Sequence, residues 1–371
     1  MREKADTVSW IAADLAASYE PDRVLFLQLG DCVIKVQSNS AELIMRLSAY
    51  YKGFIGGRSA DISVMAFETD EPVFGHEFIK KEPEPGKTRI KEEYFELKDG
   101  RIVRKLLTGM HFVFGKGINL AVGRCVENYN QVVNFINNRY IEKMLKNECM
   151  LLHSAGVVLK GRGLAVAGFA GKGKSTLALT LVGRGMKFLS NDRLMVKKTE
   201  HGVSMYGIPK LPRINPGTVL ASPFLKKVIP ENERLEFEKI PADKLWELEH
   251  KYDVDIEDIF GPDRFVLTSE MNALVIINWD RNSSAPFALN EVNLEERTDL
   301  VHAYMKSPGL FFEMSENITP PDFSERAYIN ALRNVRIYEI TGSVNFEEAA
   351  DMCISLLEQD KAGDLSLSAG K

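Results

Sequence analysis

Residues 168–175 read Gly-Phe-Ala-Gly-Lys-Gly-Lys-Ser, and the fold turns on how this stretch is understood. It fits the pattern of Gly, four residues, then Gly-Lys-Ser/Thr, with Gly168, Gly173, Lys174 and Ser175 at the fixed positions. A phosphate-binding loop needs those types at that spacing. Backbone N–H groups must converge on phosphate oxygens, and side chains at the glycine positions would hold the backbone away. In such a loop Gly168, Phe169, Ala170, Gly171, Lys172, Gly173, Lys174, Ser175 and Thr176 surround a nucleotide's phosphates. A helix opening at about Gly173 adds the positive end of its dipole. Lys174 then reaches the β and γ phosphates, and the Ser175 hydroxyl ligates magnesium. The four fixed positions arise by chance in a chain of this length about once in 100. Context adds weight: Leu164–Ala167 is a short apolar run, and beyond the loop Leu177, Ala178, Leu181 and Val182 recur at helical spacing before Gly183 and Gly185 offer a stop. The plain alternative is a glycine-rich turn that binds nothing.

The 371 residues suffice for two ordinary domains or one with a large insertion. The 47 basic and 52 acidic side chains are mixed along the chain and leave a net charge of −5, so no basic face for nucleic acid is implied. No apolar run approaches 20 residues, and Asp14 interrupts the N-terminal apolar positions, which lack a signal core. The expectation is a soluble, cytoplasmic protein without a membrane partner, with a homo-oligomer left open. Cys32, Cys125, Cys149 and Cys353 are scattered with no C-x-x-C pair, which predicts buried free thiols rather than zinc ligands or disulfides.

Outward from the loop, the pattern predicts an N-terminal α/β unit. It comprises a helix over 5–19, strands over 23–29 and 32–37 joined at Gly30-Asp31, a helix over 38–51, and a strand-rich block from 62 to 121 interrupted by an exposed loop over 71–86. His76 and His111 lie alone in it and are read as structural. A helix over 130–147 links this unit to two apolar strands, 150–159 and 163–168, the second feeding the loop. Further strands are expected over 187–189, 194–198, 203–206, 272–278 and 335–340. Helices are expected in 231–260, 294–305 and 345–358, the last opened by Asn345 with Glu348 in capping-box spacing. The domain reading is therefore an accessory α/β domain over 1–128, a linking helix over 129–149, a catalytic domain over 150–358 and a disordered tail over 359–371.

Phosphoryl transfer needs a metal, charge neutralisation and a group that orients or deprotonates the acceptor. Asp192 ends a strand candidate, Leu189-Ser-Asn-Asp192, and is the leading candidate for magnesium coordination or acceptor activation; the alternative is a turn-capping aspartate. His153, polar within an apolar run, either faces the γ-phosphate and acceptor or is a satisfied core histidine. Lys210 and Arg213, in the proline-stiffened stretch 207–219, are cations that could meet phosphate oxygens or simply face solvent; Arg193 and Arg281 are weaker versions of the same idea.

Together His153-Ser-Ala-Gly-Val157, the loop, Arg184-Gly185 and Leu189-Ser-Asn-Asp192 resemble the catalytic domain of bacterial HPr kinase/phosphorylase, and more closely the HPr-kinase-related kinases of the B-type subgroup. Pro209–Gly217 is similar to what that subgroup carries in the corresponding place. The resemblance implies a P-loop kinase domain akin to phosphoenolpyruvate carboxykinase, a mixed sheet with flanking helices that uses ATP and Mg2+. His153 falls on the family's histidine, residues 168–175 on its nucleotide loop, and Asn191-Asp192 on its paired aspartates. Asn191 stands where the parent family has the aspartate assigned as acceptor base, and an amide takes no proton. The expected function is transfer of the γ-phosphoryl group to a hydroxyl of a protein, peptide or small molecule, with Lys174, His153, Asp192 and Arg213 as catalytic candidates and Ser175 and Asp192 as metal ligands. The alternative is a nucleotide-binding regulatory module without transfer.

Overall fold

A computed structural model of the chain describes residues 7–70, 74–83, 88–241, 244–245, 248, 250–313 and 321–368, with side chains to 358. Residues 71–73 and 84–86 of the loop expected over 71–86 therefore lie outside the described residues, as do residues 369–371. Two compact units emerge, one of residues 1–147 with 308–320 and the other of 148–307 with 321–371.

The first unit is a mixed sheet of eight strands with helices on its faces. Helix α1 (Val8–Ser18) is followed by β1 (Arg23–Leu29), β2 (Cys32–Ser38), α2 (Ala41–Tyr50), β3 (Ile62–Glu68), β4 (Ile79–Lys80), β5 (Glu92–Leu97), β6 (Gly100–Lys105), β7 (His111–Gly115), β8 (Ile118–Gly123) and α3 (Tyr129–Lys146). The order is β1-β2-β3-β8-β7-β6-β5-β4, parallel at β2-β3 and β3-β8 and antiparallel elsewhere. The Thr7 hydroxyl caps α1, whose Val8, Ile11, Ala12 and Leu15 pack on Phe67, Ile102, Val113 and Leu120. Arg139 of α3 is buried, paired with Glu142, donating to the Phe311 carbonyl and lying 4.3 Å over the Phe114 ring. Lys146 also pairs with Glu142 at 2.8 Å. Removing Arg139 therefore leaves Glu142 one partner but takes the buried donor from the Phe311 carbonyl and the cation from the Phe114 ring. Arg139→Ala is expected to destabilise the fold by about 3 kcal/mol in a denaturant melt, and a shift below about 1 kcal/mol would contradict the buried pairing.

The second unit is built on nine strands, β9 (Met150–Leu152), β10 (Ala155–Leu159), β11 (Arg162–Gly168), β12 (Lys187–Ser190), β13 (Leu194–Thr199), β14 (Gly202–Gly207), β17 (Thr268–Ile277), β18 (Ala288–Glu291) and β19 (Arg336–Thr341). A separate two-stranded piece, β15 (Arg213–Ile214) with β16 (Tyr252–Asp253), stands beside it. The order runs β12-β10-β11-β17-β14-β13-β9, with β19 joined to the far half of β17 and β18 to β19. Strand β11 is parallel to β17, and β17 to β19. The apolar runs of β11 and β17 are buried on both faces, as such parallel strands require. Leu164, Val166, Val275 and Ile277 face a layer formed by α4 (Lys174–Gly183) and the last helix, Phe346–Ser368. Ala165, Ala167, Leu274 and Ile276 face a second layer with Tyr304, Tyr328 and Leu332. Helix α4 is apolar nearly all round, which suits a helix sandwiched between sheet and helix. It ends where expected: Gly185, at φ 104°, donates to Val182 and Met186 donates to Leu181, closing a Schellman turn.

The fold class is mixed α/β, and several local expectations are corrected. The single strand expected over 150–159 is two, because His153-Ser154 carries the chain from β13's neighbour to a position between β11 and β12. The charged stretch 231–260 is broken into the helix Glu231–Phe237, strand β16 and a new helix, Ile256–Phe260, started by the Asp255 carboxylate accepting two N–H groups. Over 294–305 only a 3-10 turn, Thr298–Ala303, forms. Strand β18 and the helix Glu325–Ala331, capped by Ser324, were not expected. The final helix opens with Asn345 and Glu348 bonded reciprocally and continues beyond Glu358. All four cysteines are free and buried. Among the described residues no helix is long and apolar enough to cross a membrane.

Candidate functional site

The register of the second sheet collects five chain segments at one edge. Ala155 opposes Val166, Gly156 opposes Ser190, and Gly168 lies beside Ile277. Leu194 opposes both Leu152 and Gly207. Beyond that edge lie His153-Ser154, the loop after Gly168, the turn Asn191–Arg193, the segment from Ile208 and Asn278-Trp279.

The loop joins β11 to α4 and is anchored from below. Lys172 Nζ donates to the Trp279 carbonyl at 2.8 Å, and the Trp279 indole N–H donates back to the Lys172 carbonyl at 2.9 Å. Trp279 is buried and meets Phe346 edge to face. Gly173, at φ 94°, presses on that phenylalanine so closely that a Cβ would lie 2.6 Å from the ring. Both backbone and packing therefore demand glycine. Gly173→Ala should lose about 1–3 kcal/mol in a denaturant melt, and an unchanged midpoint would contradict the contact. Lys174, half-buried, donates from Nζ to the Gly168 carbonyl at 2.8 Å. Burial lowers its pKa, Asp192 opposes that change and Lys306 adds to it.

Asp192 is the hub of the remaining side chains. His153 Nε2 lies 3.0 Å from its Oδ1, and Lys306 Nζ lies 3.6 Å from its Oδ2. Burial works to raise the carboxyl pKa, but the His153 hydrogen bond and the charges of Lys306, His153 and Arg193 overcome it and hold the group well below the usual carboxylate range. The turn is fixed by Ser190, whose hydroxyl donates to the Arg193 carbonyl and accepts the Ile208 N–H, tying Asp192 to the segment that carries Lys210. Burial, with Arg193, Arg213 and Lys306 as like charges and Asp192 in opposition, brings the Lys210 ammonium down to about 8.

The structure thus brings Lys174, Asp192, His153, Arg193 and Lys210 within electrostatic reach of one another. Arg213, in β15, is exposed and pairs with Asp253 at 3.3 Å. Arg281 lies in an exposed turn after β17. Phe169 is half-buried against the second core layer, Ala170 and Gly171 are exposed, and Ser175 is half-buried in the first turn of α4. The buried Thr176 hydroxyl faces Thr218 at 3.2 Å, so only its backbone is open to the loop. Asn191 Oδ1 is buried with no hydrogen bond among the described residues.

Lys306 was missed by sequence reasoning. It lies far along the chain in Tyr304-Met-Lys306, with no motif around it. It arrives because the His153 N–H donates to the Tyr304 carbonyl at 2.7 Å and Met305 bridges to Leu152. The Tyr328 hydroxyl, 2.9 Å from the Leu151 carbonyl, also accepts the Lys306 N–H at 3.1 Å. Glu339 was missed as well; buried in β19 and held by Arg297 and by Asn278, which follows β17, it braces the same edge.

Fold and site define a mixed α/β protein in which a glycine-rich loop between a buried strand and a buried helix opens beside an ionised, cation-flanked carboxylate. Among solved structures, the HPr(Ser) kinase/phosphatase from Coxiella burnetii is similar at a TM-score of 0.32 and 11% identity, over 60% of this chain and 99% of that one. That likeness is too loose to bear on function. No family model and no curated protein matches the chain.

Proposed function

We propose that the chain is an ATP- and magnesium-dependent kinase, of the HPr-kinase-related kind that residues 150–220 resemble, transferring the γ-phosphoryl group to a hydroxyl such as that of serine. The observation that carries this reading is that Asp192, ionised and bound by His153, shares a sheet edge with the loop Gly168–Ser175. Residues 150–358 carry the chemistry in this reading, and 1–128 form an accessory domain.

The loop N–H groups and Lys174 hold the nucleotide phosphates, Lys174 exchanging its bond to the Gly168 carbonyl for phosphate oxygen. Magnesium held with phosphates takes one or two protein oxygens, and the Ser175 hydroxyl and Asp192 carboxylate are hard donors of that kind. When bound, the ion neutralises charge on the β and γ phosphates. Asp192, steadied by His153, orients the acceptor hydroxyl and receives its proton. The acceptor oxygen bonds to the γ phosphorus as the bond from that phosphorus to the β-bridging oxygen breaks, the electron pair leaving with ADP. Arg213 meets phosphate oxygens by turning from Asp253.

A second reading, a nucleotide-binding regulatory module, is favoured by one feature: Asn191, in place of an acid, cannot take a proton. Both readings require nucleotide binding. Calorimetry with ATP and magnesium is expected to give one site per chain; absence of binding would sink both.

A further inference from the structure

We infer, on the basis of the kinase reading above, that the site contains a second anion subsite, formed by Lys210 and Lys306 with Arg193, and that the acceptor is a small hydroxylated molecule carrying its own phosphate or carboxylate. The loop and Lys174 already provide for the nucleotide phosphates. Yet Lys306 Nζ lies 3.6 Å from one further carboxylate, Asp192, with Arg193 and Lys210 within electrostatic reach, and the Asp192 Oδ1 is taken by His153. Arg213 stands nearby but has Asp253 as its partner. Like charges at this density repel, and partial burial removes the water that would screen them. The half-buried Lys210 ammonium forms no hydrogen bond or ion pair with any described residue, and burial first, with the neighbouring cations adding to it, lowers its pKa. An anion between Lys210 and Lys306 relieves both.

A second observation concerns the other half of the ligand. Asn191 Oδ1, one residue from Asp192, is a buried acceptor with no donor among the described residues. An orphaned buried acceptor is costly unless a ligand supplies the missing hydrogen. Asn191 and Asp192 are neighbours in one turn, so in this reading a hydroxyl donor and an anionic group on one molecule satisfy both features. The Ser190 hydroxyl, which links the Arg193 carbonyl to the Ile208 N–H, fixes the spacing between the two halves.

The test uses the full chain and calorimetric titration of inorganic phosphate and, in a separate arm, malonate, each with and without a saturating non-hydrolysable ATP analogue and magnesium. One anion is expected to bind to the nucleotide-loaded protein. Lys210→Ala should weaken it about tenfold or more, with nucleotide affinity within about twofold and an unchanged melting midpoint; Lys306→Ala is a second variant should the first fail to fold. The stronger of phosphate and malonate names the acceptor's anion. The inference is overturned if neither anion binds the loaded protein, if Lys210→Ala and Lys306→Ala leave anion binding unchanged, or if they weaken nucleotide and anion in parallel, which would give these cations to the triphosphate. Should the nucleotide fail to bind while the anion binds in a Lys210-dependent, Lys174-independent way, the subsite stands and the kinase reading falls.

Discussion

Lys174→Ala is expected to reduce transfer of γ-phosphate by at least about a hundredfold, because a preorganised charge aimed at the reacting phosphates contributes roughly 3 kcal/mol or more to the transition state. Lys174 reaches back to the loop's own backbone, through the Gly168 carbonyl. Its charge is partly desolvated, which raises its worth against phosphate oxygens and lowers its pKa in their absence. Nucleotide affinity should fall with activity, since the lysine meets the phosphates in ground and transition states alike. The fold should be preserved, as the substitution removes a half-buried chain whose bond is to an exchangeable carbonyl. Titration of ATP with magnesium and an initial-rate assay on the same variant separate the two effects.

Asp192→Asn is the complementary experiment. Losing a general base or an acceptor-orienting carboxylate removes about 10²–10⁴ in rate, whereas ATP affinity should change by only a few-fold. The amide is isosteric and can still meet His153, so a folding defect does not confound the result. The pH dependence follows from the direction of the Asp192 shift. A carboxyl whose folded pKa is depressed stabilises the fold above its ordinary value of about 4 and loses that contribution as pH falls through the depressed folded value. Wild type should therefore lose more stability than Asp192→Asn between about pH 5 and strongly acid conditions, as followed by denaturant midpoints. Equal losses would mean that the His153–Asp192 pairing contributes nothing.

How much of this was legible in the sequence depended on whether the signal was local. The strand before residues 168–175 and the helix after them could be read because apolar periodicity and two glycines acted within one short window, and the capping pair Asn345–Glu348 was equally local. His153 and Asp192 could be singled out as polar residues beside apolar runs, but their 3.0 Å contact depends on β10 lying between β11 and β12, which periodicity does not encode. The break of 150–159 into two strands was hidden for the same reason: the run is apolar throughout except at His153-Ser154, and only pairing partners reveal that the chain changes neighbours there. Lys306 left no trace at all. Its position is set by backbone bonds to residues 151–153 and by the Tyr328 hydroxyl, contacts that a single sequence does not announce. The charged stretch after 231 reads as one helix because charged residues favour helices without specifying where one stops.

The most direct measurement of whether anything is transferred from the loop is incubation of the full chain with γ-labelled ATP and magnesium in a native lysate, beside Asp192→Asn and Lys174→Ala. The expected result is a labelled acceptor with wild type, lost with both variants while Asp192→Asn still binds ATP. Tight ATP binding by the wild type with no acceptor labelled, and no change on Asp192→Asn, would contradict the kinase assignment and leave a nucleotide-binding module.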